Sequence, residues 1–235
     1  MGWLHKLSEP LPPPPRPKPK SLPTGDGIRD YDAAVAKWCG AVDAWQLDQL
    51  AEGLGVKSSA LLALRIGWDG QAWTFPMVDA QGRIIGAQRR YLGGKKLCVK
   101  GGFGGMFMPE NVIGDMTTQV YVCEGPTDTA YLLGLGVPAI GRFSATSCVQ
   151  MLTSLLRVKR LDVVVIADND KPDKQGRRVG LLGAERLATE LVWIGQRVVK
   201  VIAPMKGKDV REWKPTLGTL NRCVAMAPIW TGKRD

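Results

Sequence analysis

The run LDVVVIADNDK at positions 161–171 constrains the fold more than any other stretch of the chain. It is apolar and β-branched, too short to span a membrane, and bounded by polar residues. It therefore reads as a strand buried on both faces, the kind found in parallel sheets. The run ends abruptly in Asp168 and Asp170, one residue apart. Strand periodicity of two puts both carboxylates on one side, and in open α/β sheets the C-terminal strand edge is where ligands bind. Two like charges about 4 Å apart repel by roughly 4 kcal/mol at an effective dielectric of about 20. A divalent cation relieves that repulsion. Oxygen ligands of this kind suit magnesium or manganese, which bind through a few carboxylates and keep water and phosphate in the remaining positions.

The chain around this run alternates cleanly after Thr117. The pattern predicts strand 119–123, helix 127–135, strand 137–140, helix 145–157, strand 162–167, helix 179–194, strand 197–202 and helix 216–227, the signature of a parallel α/β sheet flanked by helices. Upstream the pattern differs. Apolar spacing from Asp30 to Leu64 predicts two or three short amphipathic helices, the second ending at Gly53–Gly55 and the next capped by Ser58 or Ser59. GWDGQAWTFPMVDAQGRIIGAQRRYL then reads as an antiparallel β-meander with turns at Asp69-Gly70 and Gln81-Gly82. Trp68 and Trp73 within it read as packing residues rather than base-stacking platforms. The glycines at 101, 102, 104 and 105 follow in a loop that lacks the G-K-[ST] ending of a P-loop. Residues 1–27, with PLPPPPRPKPK, cannot form a packed core and read as an extended Pro/Lys-rich tail. The expected organisation is this tail, a small basic α+β subdomain at 28–116, and an α/β domain with a C-terminal helix at 117–235.

Charge and cysteine usage narrow the chemistry. The net charge is +10 and the pI near 9.5, compatible with a polyanionic partner without deciding for one. Between Gln81 and Lys100 stand Arg83, Arg89, Arg90, Lys95, Lys96 and Lys100 with no acid among them. This is either a nucleic-acid-binding surface or a solvated basic hairpin. Five scattered cysteines without a C-x-x-C pair indicate neither a disulfide framework nor a zinc site, and fit a reduced, cytoplasmic setting. The single histidine, His5, excludes Ser-His-Asp and multi-histidine metal chemistry, so any metal site is oxygen-only. No run has the length of a membrane span, and no signal-peptide core is present.

Three acidic clusters follow predicted strands: Glu124 in VYVCEGPTDTAYLL, the Asp168 and Asp170 pair in VVVIADND, and Asp209 in APMKGKDVREW. Gly125 allows the tight turn into the next helix, and Asp128 fits a first-turn residue that stabilises the helix start. DNDKPDKQG lacks EF-hand ligand spacing, and no P-loop accompanies the pair as a Walker B acid requires.

Glu124, Asp168 and Asp170, in this order and strand context, resemble the TOPRIM domain shared by bacterial (DnaG-type) primases, topoisomerases and certain nucleases. EGPTD resembles the primase version of the first motif, and GKD resembles the late acidic motif. That late motif normally carries a second acid two residues on, where this chain has Arg211. FPMVDAQGRIIGAQRRYLGGKKL resembles the basic subdomain that precedes TOPRIM in primases, matching its basic positions at Arg83, Arg90 and Lys96, with Arg89 and Lys95 as adjacent alternatives. The resemblance spans about residues 45–215. No cysteine–histidine cluster supplies the zinc-binding domain of those primases, so the expectation is a stripped catalytic core of plasmid or phage type, without zinc.

The resemblance implies an RNA polymerase core making short primers on single-stranded DNA from ribonucleoside triphosphates, with a replicative helicase or initiator protein as partner and no membrane. Asp168, Asp170 and Asp209 would hold Mg2+ or Mn2+, and Glu124 would be a further ligand or the general base. Lys206 and Lys208 would meet the triphosphate, while the basic segment including Lys100 would grip the strand through phosphates. A TOPRIM nuclease and a non-catalytic nucleic-acid-binding replication accessory are the alternatives; the Arg211 departure keeps the second open.

Overall fold

The computed structural model describes residues 30–110, 112–115 and 118–232; the tail at 1–27 and His5 lie outside them. Three helices open the described chain: α1 (Tyr31–Gly40), α2 (Ala44–Leu54) and α3 (Ser58–Ala63). Asp30 caps α1 by accepting from the Ala33 amide. Asp43 and Gln46 form a reciprocal capping box on α2, which Gly55 closes at φ 68°. The expected serine cap on α3 is not formed. With only two residues after Gly55, the turn must begin at Lys57, whose carbonyl accepts from the Ala60 and Leu61 amides, and Ser58 is already helical.

The meander follows as expected, with β1 (Gly67–Trp68), β2 (Trp73–Val78), β3 (Ile84–Arg90) and β4 (Lys96–Cys98) paired antiparallel. Its first two turns are built by aspartates. Asp69 accepts from the Gln71 and Ala72 amides, and Asp79 from those of Gln81 and Arg83. Trp68 and Trp73 pack edge to face, ring centroids 5.4 Å apart.

Past the glycine-rich loop lies a strand the sequence pattern does not show, β5 (Met106–Phe107). After α4 (Val112–Asp115) come β6 (Gln119–Glu124), α5 (Gly125–Gly134), β7 (Ala139–Arg142), α6 (Val149–Leu156), β8 (Asp162–Ile166), α7 (Val179–Trp193), β9 (Val198–Ile202), α8 (Val210–Trp213) and α9 (Leu217–Met226). β7, β6, β8 and β9 are mutually parallel neighbours. Because β5 pairs with both β2 and β7, meander and parallel strands form one nine-stranded sheet in the order β4-β3-β2-β5-β7-β6-β8-β9, with β1 beside β2.

Strand alternation sorts the core. Val120, Val122, Val163 and Val165 pack with Leu152, Leu156, Leu187 and Leu191 of α6 and α7. Tyr121, Cys123, Val164 and Ile166 pack on the other face with Leu132, Trp213 and Leu220. A further cluster joins Phe75 and Met77 to Leu54 and Leu61 of the opening helices and reaches Ala130 of α5. Among the described residues no helix is long and apolar enough to cross a membrane.

Candidate active site

The acids gather at the C-terminal edge of the parallel strands. Glu124 is the last residue of β6, and Gly125, at φ 73°, turns the chain directly into α5. β8 stops at Ile166, so Asp168 and Asp170 stand on a loop beyond it, where strand alternation no longer aims them. Contacts hold this loop instead. The Asn169 amide donates to the Lys208 carbonyl at 2.7 Å, and the Asn169 side chain donates to the Gly207 carbonyl. On the other side α7 comes so close that a Cβ on Gly180 would lie 2.5 Å from the Asp168 carbonyl oxygen.

The cluster is electrostatically strained. Burial first, then the charges of Glu124, Asp128, Asp170 and Asp209, raise the Asp168 carboxyl to about 8. Burial also raises Glu124, against the nearby Arg142. Asp170 is partly compensated by the Lys208 ammonium at 3.1 Å, and that hydrogen bond raises Lys208. Asp209 is the N-cap of α8 and accepts from the Glu212 amide at 2.8 Å.

Two members of the site exceed what the sequence pattern assigns. Asp128 is 2 % exposed, accepts from the Val210 amide at 3.0 Å, and is raised to about 7, first by burial and then by Asp209. It ties the start of α5 to the start of α8 and belongs to the acidic set. Its spacing, one helical turn after Glu124, is the signal the sequence offers. Arg142 is 0 % exposed at the end of β7. It sits directly across from Glu124 in the β6–β7 register, with Nη2 3.6 Å from Glu124 Oε1, and donates to the carbonyls of Ala145 and Gly183. Arg142 Nε and Nη2 and Glu124 Oε1 are buried without a hydrogen-bond partner.

The cations divide. Arg83 is bound to Asp79 at 2.6 Å and Arg89 to Asp69. Positions 81–100 hold no acid, yet two of the six cations are compensated, because both partner acids lie outside that span, in turns that the meander folds back onto them. Among the described residues no carboxylate pairs with Arg90, Lys95, Lys96 or Lys100. Lys95, Lys96 and Lys100 are exposed and Arg90 is half-buried, and Arg90 and Lys96 are cross-strand neighbours. Desolvation, then Arg90 and Arg211, lower Lys96, which also feels Asp128 and Asp209. Arg211, where the resemblance led one to look for an acid, thus adds a cation to this group.

A cleft of about 780 Å³ opens beside the loop, lined by Asp170, Lys171, Arg178, Lys208 and Glu212 among others. Lys208 lies in its wall; Lys206 is exposed on the same loop and is not among the lining residues. The donor set suits a hard divalent cation, being all oxygen and crowded, with Glu124, Asp128 and Asp168 lifted above the ordinary carboxylate range. Among the described residues no three acids close on one point as a ready cage, since Asp128, Asp170 and Asp209 each engage an internal donor. Magnesium does not need such a cage: one or two carboxylates complemented by water and substrate phosphates suffice.

No protein-family model and no curated protein sequence matches the chain. Solved structures do. A DnaG catalytic core is similar at TM-score 0.66 and 17 % identity, over 86 % of this chain and 80 % of that one. The E. coli primase catalytic core is similar at 0.65 and 16 %, over 85 % and 79 %. A DnaG primase catalytic domain bound to ssDNA is similar at 0.64 and 17 %, over 86 % and 78 %. The chain therefore has the fold of a DnaG-type primase catalytic core.

Proposed function

We propose that the chain is a primase-like RNA polymerase core that joins ribonucleotides on single-stranded DNA by metal-dependent nucleotidyl transfer. The observation that carries this reading is the strained acid set, with Asp168 raised to about 8, standing between a basic cleft and the Arg90–Lys96 pair in a fold shared with primase cores. Asp168 and Asp170, with Asp209, would hold Mg2+ or Mn2+. When bound, the ions neutralise charge developing on the transferred phosphoryl group.

The protein's own residues supply positioning and proton handling. Glu124 ligates, or accepts the proton of the attacking 3′-hydroxyl as the new oxygen–phosphorus bond forms and pyrophosphate leaves. Lys208 exchanges Asp170 for a triphosphate oxygen, and Arg90 and Lys96 hold the strand by its phosphates. Residues 28–116 act as the strand-binding part and 117–235 as the catalytic part. A core of plasmid or phage type, working with a replicative helicase or initiator protein, fits this division.

The test is incubation with single-stranded DNA, ribonucleotides and magnesium or manganese. Extension products are expected. Cleavage products would replace the reading with a nuclease, and a mobility shift alone would replace it with a non-catalytic accessory.

A further inference from the structure

A second concave feature lies on the meander side, away from the acids. β2, β3 and β4 set Trp73, Arg90 and Lys96 in one cross-strand row. Residues directly opposite share a sheet face, and three neighbouring strands span about 10 Å. At the Lys96 end the row meets Arg211 and the acidic set. At the Trp73 end it runs into a groove of about 370 Å³ between the hairpin and α2, walled by Trp45, Trp73, Tyr91, Leu92 and Arg90 and passing over Gly53.

Folding leaves part of this groove bare: Trp45 is 70 % exposed and Leu92 84 %. Arg90 is the one charged residue among those lining it, and no carboxylate takes part; Asp48 and Glu52 of α2 are not in the lining. Flat aromatic walls around a single cation match a nucleotide, whose base stacks while its phosphate is met by the guanidinium. Gln46, Gln49 and Tyr91 also line the groove and supply neutral polar groups of the kind that meet an unstacked base edge.

We propose that this groove stacks a nucleobase of the single strand against the exposed Trp45, with Trp73, held edge to face on Trp68, as the packed floor of the groove and the adjoining phosphate on Arg90. The bound strand would then run along the Trp73–Arg90–Lys96 row toward the acids. The inference rests on the reading that the chain handles single-stranded DNA. Burial and Arg211 lower the Arg90 guanidinium, in keeping with a cation held partly out of water and without a carboxylate.

The test compares binding of the full chain to a labelled oligothymidylate and to an oligonucleotide of equal phosphate count with an abasic run. Wild-type protein is expected to prefer the base-bearing strand by roughly 10-fold, and Trp45→Ala to remove that preference without changing abasic binding or the salt slope. Trp45 lies outside the core, so its loss spares the fold. Gly53→Phe is the second variant: a Cβ at Gly53 meets nothing within 4 Å, so the ring plugs the groove and removes the same preference. Equal wild-type affinity for both strands overturns the proposal and leaves the groove to a protein partner. Equal weakening of both strands by either variant also overturns it. Primer synthesis is scored separately. Base-dependent binding without synthesis keeps the site and removes the polymerase reading, and synthesis with a silent Trp45→Ala does the reverse.

Discussion

In the basic hairpin, Arg83 and Arg89 are each met by a carboxylate from an adjoining turn, whereas at the acidic edge Asp168 is crowded by four further carboxylates and lifted to about 8. The first arrangement is complete within the chain. Asp79 and Asp69 shape their turns through backbone amides and commit their second oxygen to the arginine. The second is incomplete: Arg142 and Lys208 sense the Asp168 charge but Asp168 stays raised against them, and Glu124 Oε1 is buried without a hydrogen bond. Charge that folding compensates serves the fold, and charge that folding leaves strained is available to a ligand. Arg90 and Lys96 fall in the second class although they sit in the first region.

The strongest way to break this contrast is Asp168→Asn with Asp170→Asn. Nucleotidyl transfer should fall by roughly 10^3-fold or more, with divalent-ion binding lost and thermal stability held or raised, because mutually repelling charges are removed. Primer extension and manganese titration read the first two outcomes; wild-type turnover would end the active-site assignment.

Arg142→Met probes the buried cation beside Glu124. Removing one partner of a buried charge pair should cost about 3 kcal/mol in denaturant unfolding. Adding Glu124→Gln should return much of it, because the stranded charge goes too. A single-variant loss under about 1 kcal/mol would mean that Arg142 does not hold Glu124.

The pH response sharpens the contrast further. Asp168 and Asp128, at about 8 and about 7, lie above their ordinary 3.8, so the ion-free folded state binds more protons than the unfolded chain. Their contribution is full below 3.8 and is lost as pH rises through 7 toward 8. Melting of ion-free protein should therefore decline over that window. Manganese affinity should climb over the same window, by up to about tenfold per unit, because the ion displaces the Asp168 proton. Melting and affinity that are both flat from pH 5 to 8 would contradict the strained-acid picture.

The smallest effect separates the hairpin cations. Arg90→Gln with Lys96→Gln should lower the salt slope of single-stranded DNA affinity by about 0.7 for each phosphate no longer neutralised, while Arg83→Gln leaves it unchanged because Asp79 already holds that charge. Equal slopes in both variants would show that compensation does not decide which cations bind.

The sequence shows most plainly what local patterning controls. The apolar run ending at Asp168, the helix–strand alternation after Thr117 and the meander turns all follow from periodicity and turn chemistry, and the strands appear within a few residues of their expected bounds. What escapes depends on distant pairing. Met106–Phe107 has no periodicity to read and becomes a strand only because Val78 and Arg142 lie on either side. Arg142 in AIGRF looks like an ordinary strand end until the β6–β7 register sets it against Glu124. Arg89 finds Asp69 twenty residues away through the β1–β2 turn.

β5 has a further consequence, for association between molecules. Without it, β7 would be the open edge of the parallel strands, a row of unsatisfied amides and carbonyls ready to pair with another chain. At the far side β9 is shielded as lightly, by the Lys200–Ile229 bridge and the bond from the Trp230 amide to the Val199 carbonyl. A few residues of antiparallel pairing at each flank thus protect a long, apolar sheet from edge-to-edge growth. Loss of Met106–Phe107 or of the segment through Trp230 would show first as self-association, before any loss of helical or strand content.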